Sequence, residues 1–331
     1  MRHIGIDVGF GYTKATDGMK TLLFPSVISP PVKMGFRPFQ GDPSDRHDFL
    51  IDHLSVNLEG ETYFVGNLAL NQGRFTYATL DRLRTQTLEY RLLFLAALSL
   101  LADFPGESLS VVTGLPVDDF EDRDFLEKNF KGRFSFQVSG QEISFTITDL
   151  IVIPQGCGAF MDLLFAGASG EINEVYAQGP VGIIDIGYKT TDFVLMQSAE
   201  FAWRLSGSIK HGISVIYQAA ISKFSDVYRG NFDLKSVEEA IRDGMVHRLG
   251  ERIAIDPALL ETDYHGLSQE IAAWIRQRWR EQKISRILCA GGGSVLLKPF
   301  LKKLFPEMVF MDNPHLANVR GFQKGARYYY G

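Results

Sequence analysis

Cysteine is scarce in these 331 residues: Cys157 and Cys289 are the only two, and they do not form a paired spacing. That excludes a disulfide-built scaffold and a cysteine zinc site, and it points to a reducing compartment. An excess of basic charge is missing too, since 34 Lys and Arg stand against 39 Asp and Glu, a net charge of -5. The whole-molecule field therefore gives no support to broad binding of nucleic acid or acidic membrane. Long apolar runs are also lacking. The longest, Leu92 to Ala102, is too short to cross a bilayer and is flanked by Glu89, Arg91 and Asp103. The N-terminal MRHIGIDVG enters a strand without an apolar signal core, so a cytoplasmic location is expected. No G-x-x-x-x-G-K-[ST] occurs, which excludes a P-loop. What is present, 45% hydrophobic residues, is enough for two ordinary domains, each with its own core.

One stretch organises the rest. GIIDIGYKTTD, residues 182–192, reads as a short apolar strand ending in Asp185, then Gly187, Tyr188, Lys189, Thr190 and Thr191. Gly187 lets the backbone approach an anion, and the hydroxyls and amide N–H groups after it are donors. A carboxylate beside phosphates repels them unless a divalent cation lies between, so Asp185 reads as a Mg²⁺ anchor acting through water. A buried strand with a glycine turn is common in α/β proteins, and this stretch alone does not decide the matter.

A second copy does more. HIGIDVGFGYTK runs from a strand into Asp7, then Gly9, Phe10, Gly11, Tyr12, Thr13 and Lys14. Set side by side, DVGFGYTK and DIGYKTTD share acid, β-branched residue, glycine and aromatic residue in order, which predicts an internally duplicated, two-domain protein. The GFG of the first copy is not a dinucleotide fingerprint, because Lys14 stands where the third glycine belongs and the acid precedes the loop.

Between and beyond the copies, the spacing predicts helices at 87–104, 119–130, 208–224, 233–242 and 267–282. Strands are predicted at 62–66, 109–116, 133–138, 142–147 and 149–154. Pro- and Gly-rich residues 22–49 read as strand fragments and surface loops, where Asp45, His47, Asp48, Asp52 and His53 lack regular metal-ligand spacing. In IVIPQGCGAF, Gln155 stands at a strand-to-helix turn; as a neutral donor and acceptor it suits the holding of an attacking water, with a plain turn as the alternative. In ILCAGGGSVLL, Gly291, Gly292 and Gly293 either admit a flat ligand close to the backbone or make a tight turn. The basic residues Arg276, Arg278 and Arg280 read as a solvated helix face, and Arg320, Lys324 and Arg327 as an exposed one.

Five motifs thus stand in order: IGIDVGFGYTK, IVIPQGCGAF, GIIDIGYKTTDF, ILCAGGGSVLL and NVRGFQKGA. Together they resemble the sugar kinase, chaperone and actin superfamily over essentially the whole chain, and the actin-like ATPases of the ParM/StbA plasmid-segregation branch in particular. The resemblance implies an α/β, actin-like fold: two duplicated RNase H-like domains with a nucleotide cleft between them. Domain I would span 1–162 plus 314–331, and domain II 163–313. ATP or ADP with Mg²⁺ would be the cofactors. Asp7 and Asp185 would hold the metal through water, and Gln155 would position the attacking water. Gly9, Phe10, Gly11, Tyr12 and Lys14 would contact phosphates, as would Gly187, Tyr188, Lys189, Thr190 and Thr191. Gly291, Gly292 and Gly293 would border the adenosine. Two departures stand out: Gln155 occupies a position where many ParM-like proteins carry glutamate, and Tyr188 and Lys189 replace small residues.

The function implied is a Mg²⁺-dependent ATPase that forms filaments of itself. It would serve plasmid DNA segregation or other cytoskeletal positioning through an adaptor, with no direct nucleic-acid or membrane partner. A non-polymerising, actin-fold, nucleotide-dependent scaffold or regulatory ATPase is the alternative. Gln155 lacks the carboxylate base that a small-molecule kinase of this superfamily requires.

Overall fold

Unbroken apolar runs become the innermost strands, because a strand flanked on both faces must be apolar at every position. The structure, a computed structural model, describes residues 1–32, 50–74, 76, 83–166, 171–248 and 250–331. Two units emerge: Met1–Gln178 with Ser198–Phe201 and Leu316–Gly331, and Gly179–Gln197 with Ala202–His315.

In the first unit, the strand Arg2–Val8 pairs antiparallel with Tyr12–Thr16 and parallel with Glu107–Leu115, placing Asp7 opposite Lys14 and Ile4 opposite Val111. In the second, Pro180–Ile186 pairs antiparallel with Thr191–Gln197 and parallel with Arg286–Ala290, placing Asp185 opposite Asp192 and Ile183 opposite Leu288. A further parallel strand follows in each: Gln141–Pro154 beside Glu107–Leu115, and Val309–Phe310 beside Arg286–Ala290. The repeat seen in two short loops is therefore a repeat of topology. It also fixes the correspondence between the copies: Lys14 is matched by Asp192, while Lys189 lies in the turn.

Each unit has its own core. In the first, the helix Leu88–Ser99 is buried along nearly its whole length, and Phe94 meets Phe130 edge-on with ring centres 4.8 Å apart. In the second, Phe193 stacks on Trp274 at 4.0 Å, and Trp279 closes the group edge-on. The helix Ala258–Trp279 carries these tryptophans inward and leaves Arg276, Arg278 and Arg280 exposed, as its charged face predicts.

Several boundaries differ from the pattern-based reading. The segments at 142–147 and 149–154 form one strand, Gln141–Pro154. Its first half pairs antiparallel with Gly132–Val138 and its second parallel with Glu107–Leu115, and an irregularity at Leu109/Ser110 absorbs the register shift. The helix at 119–130 begins as a 3-10 turn, Val117–Asp122, before Arg123–Asn129. The helix at 208–224 does not start until Ser214. Residues Gly207–Ile209 instead add an edge strand to Thr191–Gln197, and the N–H groups of Ile213 and Ser214 donate to the carbonyls of Gly187 and Tyr188, at 3.0 and 2.9 Å. The helix predicted from 267 begins at Ala258. Asp45, His47 and Asp48 lie outside the described residues, while Asp52 accepts a hydrogen bond from Asn67 at 2.8 Å. Among the described residues no helix is long and apolar enough to cross a membrane.

The helix Leu234–Asp243 opens with a capping box: Asp233 accepts from the Ser236 N–H at 2.8 Å, and Ser236 Oγ accepts from the Asp233 N–H at 2.9 Å. These bonds pull the Asp233 carboxyl below its ordinary value. Asp233→Ala is expected to destabilise this helix end by ~1 kcal/mol. Amide hydrogen exchange in the first turn, faster by roughly fivefold, is the check.

Candidate functional site

Asp7 stands near the end of Arg2–Val8, an interior strand of the first unit's sheet, and is 3% exposed. Beyond it the Gly9 N–H donates to the Tyr12 carbonyl at 3.1 Å, closing a tight turn over Phe10 and Gly11. The carboxylate is held on both sides. Lys14 Nζ lies 3.1 Å from Oδ2, and Gln155 Nε2 donates to Oδ1 at 2.9 Å. Gln155 itself is placed by its N–H, which donates to the Leu115 carbonyl at 2.6 Å. With the amide nitrogen bonded to Asp7, the amide oxygen is the end that can accept from a water. Asp7, Lys14 and Gln155 are thus brought together from two strands and a strand-to-helix turn.

The second unit repeats the device with different partners. Asp185 is 5% exposed, and the Gly187 N–H donates to the Thr190 carbonyl at 2.9 Å, again spanning two residues, Tyr188 and Lys189. The two threonine hydroxyls are bonded within the unit: Thr191 Oγ1 donates to the His211 carbonyl at 2.8 Å, and Thr190 Oγ1 to Asp192 Oδ2 at 3.1 Å. Asp192 also accepts from Ser208 Oγ at 2.5 Å. Burial and the charge of Glu238 raise the Tyr188 phenol above its ordinary value.

The three glycines divide by role. Gly291 has φ +81°, and a Cβ there would lie 2.4 Å from Asp185 Oδ1 and 2.3 Å from the Ile186 carbonyl oxygen. A Cβ on Gly293 would lie 2.5 Å from Ile186 Cγ2, whereas one on Gly292 would meet only His315 Cβ, at 3.8 Å. Gly291 and Gly293 therefore let the helix Gly293–Leu304 pack against the strand that carries Asp185, and Gly292 is the exposed member.

Two residues near the first loop escape sequence reasoning. Arg84, 9% exposed, donates through Nη2 to the carbonyls of Val8 and Gly9, the latter at 3.1 Å. Asn318, from the last helix, accepts through Oδ1 from the Ala159 N–H at 3.0 Å and the Gly156 N–H at 3.3 Å, so one side chain caps the helix Cys157–Leu164 next to Gln155. The same helix pair corrects a further expectation. Arg320 and Lys324 are not simply an exposed face, since both bond the buried carboxylate of Asp162, at 2.8 and 2.9 Å. Arg327 is exposed.

Residues 5–158 match the family of actin like proteins, N-terminal domain, and residues 183–303 match that of the archaeal actin homologue MreB-like, C-terminal. No curated protein matches the chain by sequence. Among solved structures, a 15-stranded ParM filament from Clostridium botulinum is similar at 25% identity over 99% of this chain and 100% of that one, with a TM-score of 0.79. The archaeal actin homolog Ta0583, in complex with ADP, is similar at 22% identity over 99% and 100%, with a TM-score of 0.79. The Alp12 filament structure follows at 17% identity over 99% and 98%, with a TM-score of 0.69.

Proposed function

The chain belongs to the actin-like proteins and has their fold, and from that premise we propose that it is a Mg²⁺-dependent ATPase that assembles into filaments and hydrolyses ATP on assembly. The observation that carries the reading is the repeated device: an interior strand with a buried carboxylate near its end and a tight turn closed by one N–H to carbonyl bond, built once in each unit. In this proposal Asp7 and Asp185 hold Mg²⁺ through water. The donor set suits that mode, because magnesium keeps several waters and takes one or two carboxylates together with substrate phosphates. The described residues form no cluster of three or more His, Cys, Asp or Glu that would cage a metal directly. The ion, when bound, supplies charge neutralisation for the phosphates.

The chain's own residues do the rest. Lys14 gives a positive charge beside Asp7, the turns Gly9–Tyr12 and Gly187–Thr190 offer backbone donors to phosphate, and Gln155 holds water with its amide oxygen. Gly292, the exposed glycine, borders the adenosine, while Gly291 and Gly293 shape the turn behind it. Domain I is proposed at 1–162 plus 314–331 and domain II at 163–313; by its contacts the first unit also takes in the stretch up to Gln178. Self-assembly is supported by the similarity to a ParM filament. A role in positioning DNA through an adaptor is part of the proposal, and the net charge of -5 accords with an indirect rather than a direct contact with nucleic acid. A cytoplasmic location accords with two buried cysteines that form no disulfide, and burial pushes both thiols above their ordinary value.

The test is to follow phosphate release and light scattering against protein concentration with ATP and Mg²⁺, and to image the samples. A critical concentration with visible filaments is expected. Turnover independent of concentration, without polymer, would replace the filament with a non-polymerising scaffold.

A further inference from the structure

Beneath the first loop lies a buried guanidinium. Arg84 sits in the 3-10 turn Arg84–Gln86, just before the helix Leu88–Ser99. A buried arginine is ordinarily matched by a carboxylate, because its desolvation is costly. Here the hydrogen bonds end on main chain: Nη2 donates to the Val8 carbonyl and, at 3.1 Å, to that of Gly9. The guanidinium carbon also lies 4.1 Å from the centre of the Phe10 ring and 5.4 Å from that of Tyr90. Burial pulls the arginine below its ordinary value, opposed by Tyr90, Glu89, Asp7 and Asp119.

Peptide geometry gives these contacts a direction. In a trans peptide the carbonyl and the following N–H point to opposite sides. Holding the Gly9 carbonyl against Arg84 turns the Phe10 N–H away from it, and holding the Val8 carbonyl does the same for the Gly9 N–H, which is the one that closes the turn on Tyr12. One side chain therefore orients two consecutive peptides and stacks on the next residue's ring.

We propose that Arg84 is the positioning residue of the first loop: it fixes the Val8 and Gly9 peptides so that the loop presents the Phe10 N–H to a nucleotide phosphate, and its charge favours polyphosphate over uncharged ligands. This rests on the nucleotide-binding reading above. Nothing about Arg84 requires it to touch the ligand.

The experiment compares wild type with Arg84→Gln, which keeps a donor without the charge, and Arg84→Lys, which keeps the charge with a poorer stack. Affinity is measured for ATP, ADP and adenosine in Mg²⁺, alongside thermal melting without ligand. Arg84→Gln is expected to weaken ATP about tenfold or more, ADP less, and adenosine by no more than about twofold. Arg84→Lys should recover most of the loss. A merely structural role would weaken all three alike and would not separate Lys from Gln. If Arg84→Gln does not fold, Arg84→Lys decides: a loss of about threefold graded by phosphate number supports the role, and an ungraded loss overturns it. Wild-type binding with unchanged variants overturns Arg84 and leaves the nucleotide reading standing. Wild type that binds no nucleotide overturns both.

Discussion

Gln155→Ala is expected to lower ATP turnover by about 100-fold or more while changing nucleotide affinity by no more than about threefold. The reason is the orientation of the amide. Its nitrogen donates to Asp7 at 2.9 Å and its backbone is pinned to Leu115 at 2.6 Å, so the oxygen has a fixed direction rather than a rotating one. Alanine keeps the turn and removes the acceptor. Binding survives because Lys14 still pairs with Asp7, at 3.1 Å, and the loop turn does not involve Gln155. Single-turnover phosphate release at saturating ATP and Mg²⁺ is the measurement, and filaments of the variant should outlast those of wild type. Turnover equal to wild type would remove Gln155 from the reaction. Gln155→Asn sharpens the point, since an amide one methylene shorter cannot reach both Asp7 and the water; it too should be slow.

What the sequence shows of this site is what is local. Acid, glycine and aromatic residue within four positions of one another announce a strand and its turn, and repetition of that string exposes the duplication before any coordinate is known. Gln155 is legible for the same reason, because Pro154 marks the end of a strand and Gly156 the start of a helix. Arg84 is not legible, because its partner Gly9 lies 75 residues away and an arginine in the charged and polar stretch DRLRTQT looks like a solvated one. Asn318, 159 residues from the amide it caps, is hidden in the same way. The threonines carry contacts that are equally hidden. Read alone, their hydroxyls look available for phosphate, but Thr191 meets a carbonyl supplied by His211, which belongs to a segment that reads as helix and folds as edge strand and turn. The triple glycine is half legible. Its composition reveals a close approach, yet two of its three members approach the protein's own strand.

Gly321→Ala is expected to destabilise the first unit by about 3 kcal/mol or more, against a helix propensity that favours alanine by about 1 kcal/mol. A Cβ at Gly321 would lie 1.7 Å from the Gly158 carbonyl oxygen, and one at Gly158 would lie 2.6 Å from that of Asn318, so the helices Cys157–Leu164 and Ala317–Tyr330 cross with backbone against backbone. Relief requires the helices to part by more than an ångström. That would stretch both caps from Asn318 and the bonds from Arg320 and Lys324 to Asp162, which is 8% exposed and would be left as a poorly paired charge. Because the turn bearing Gln155 is capped by Asn318, turnover should fall together with stability. The control is Gly266→Ala in the helix Ala258–Trp279, where a Cβ meets nothing within 4 Å; there the same substitution should stabilise by about 0.5–1 kcal/mol. Urea unfolding with a probe in each unit separates the two effects. Opposite signs are the signature of close helix packing at Gly321, and a Gly321→Ala protein as stable as wild type would mean that these helices do not pack at the separation found.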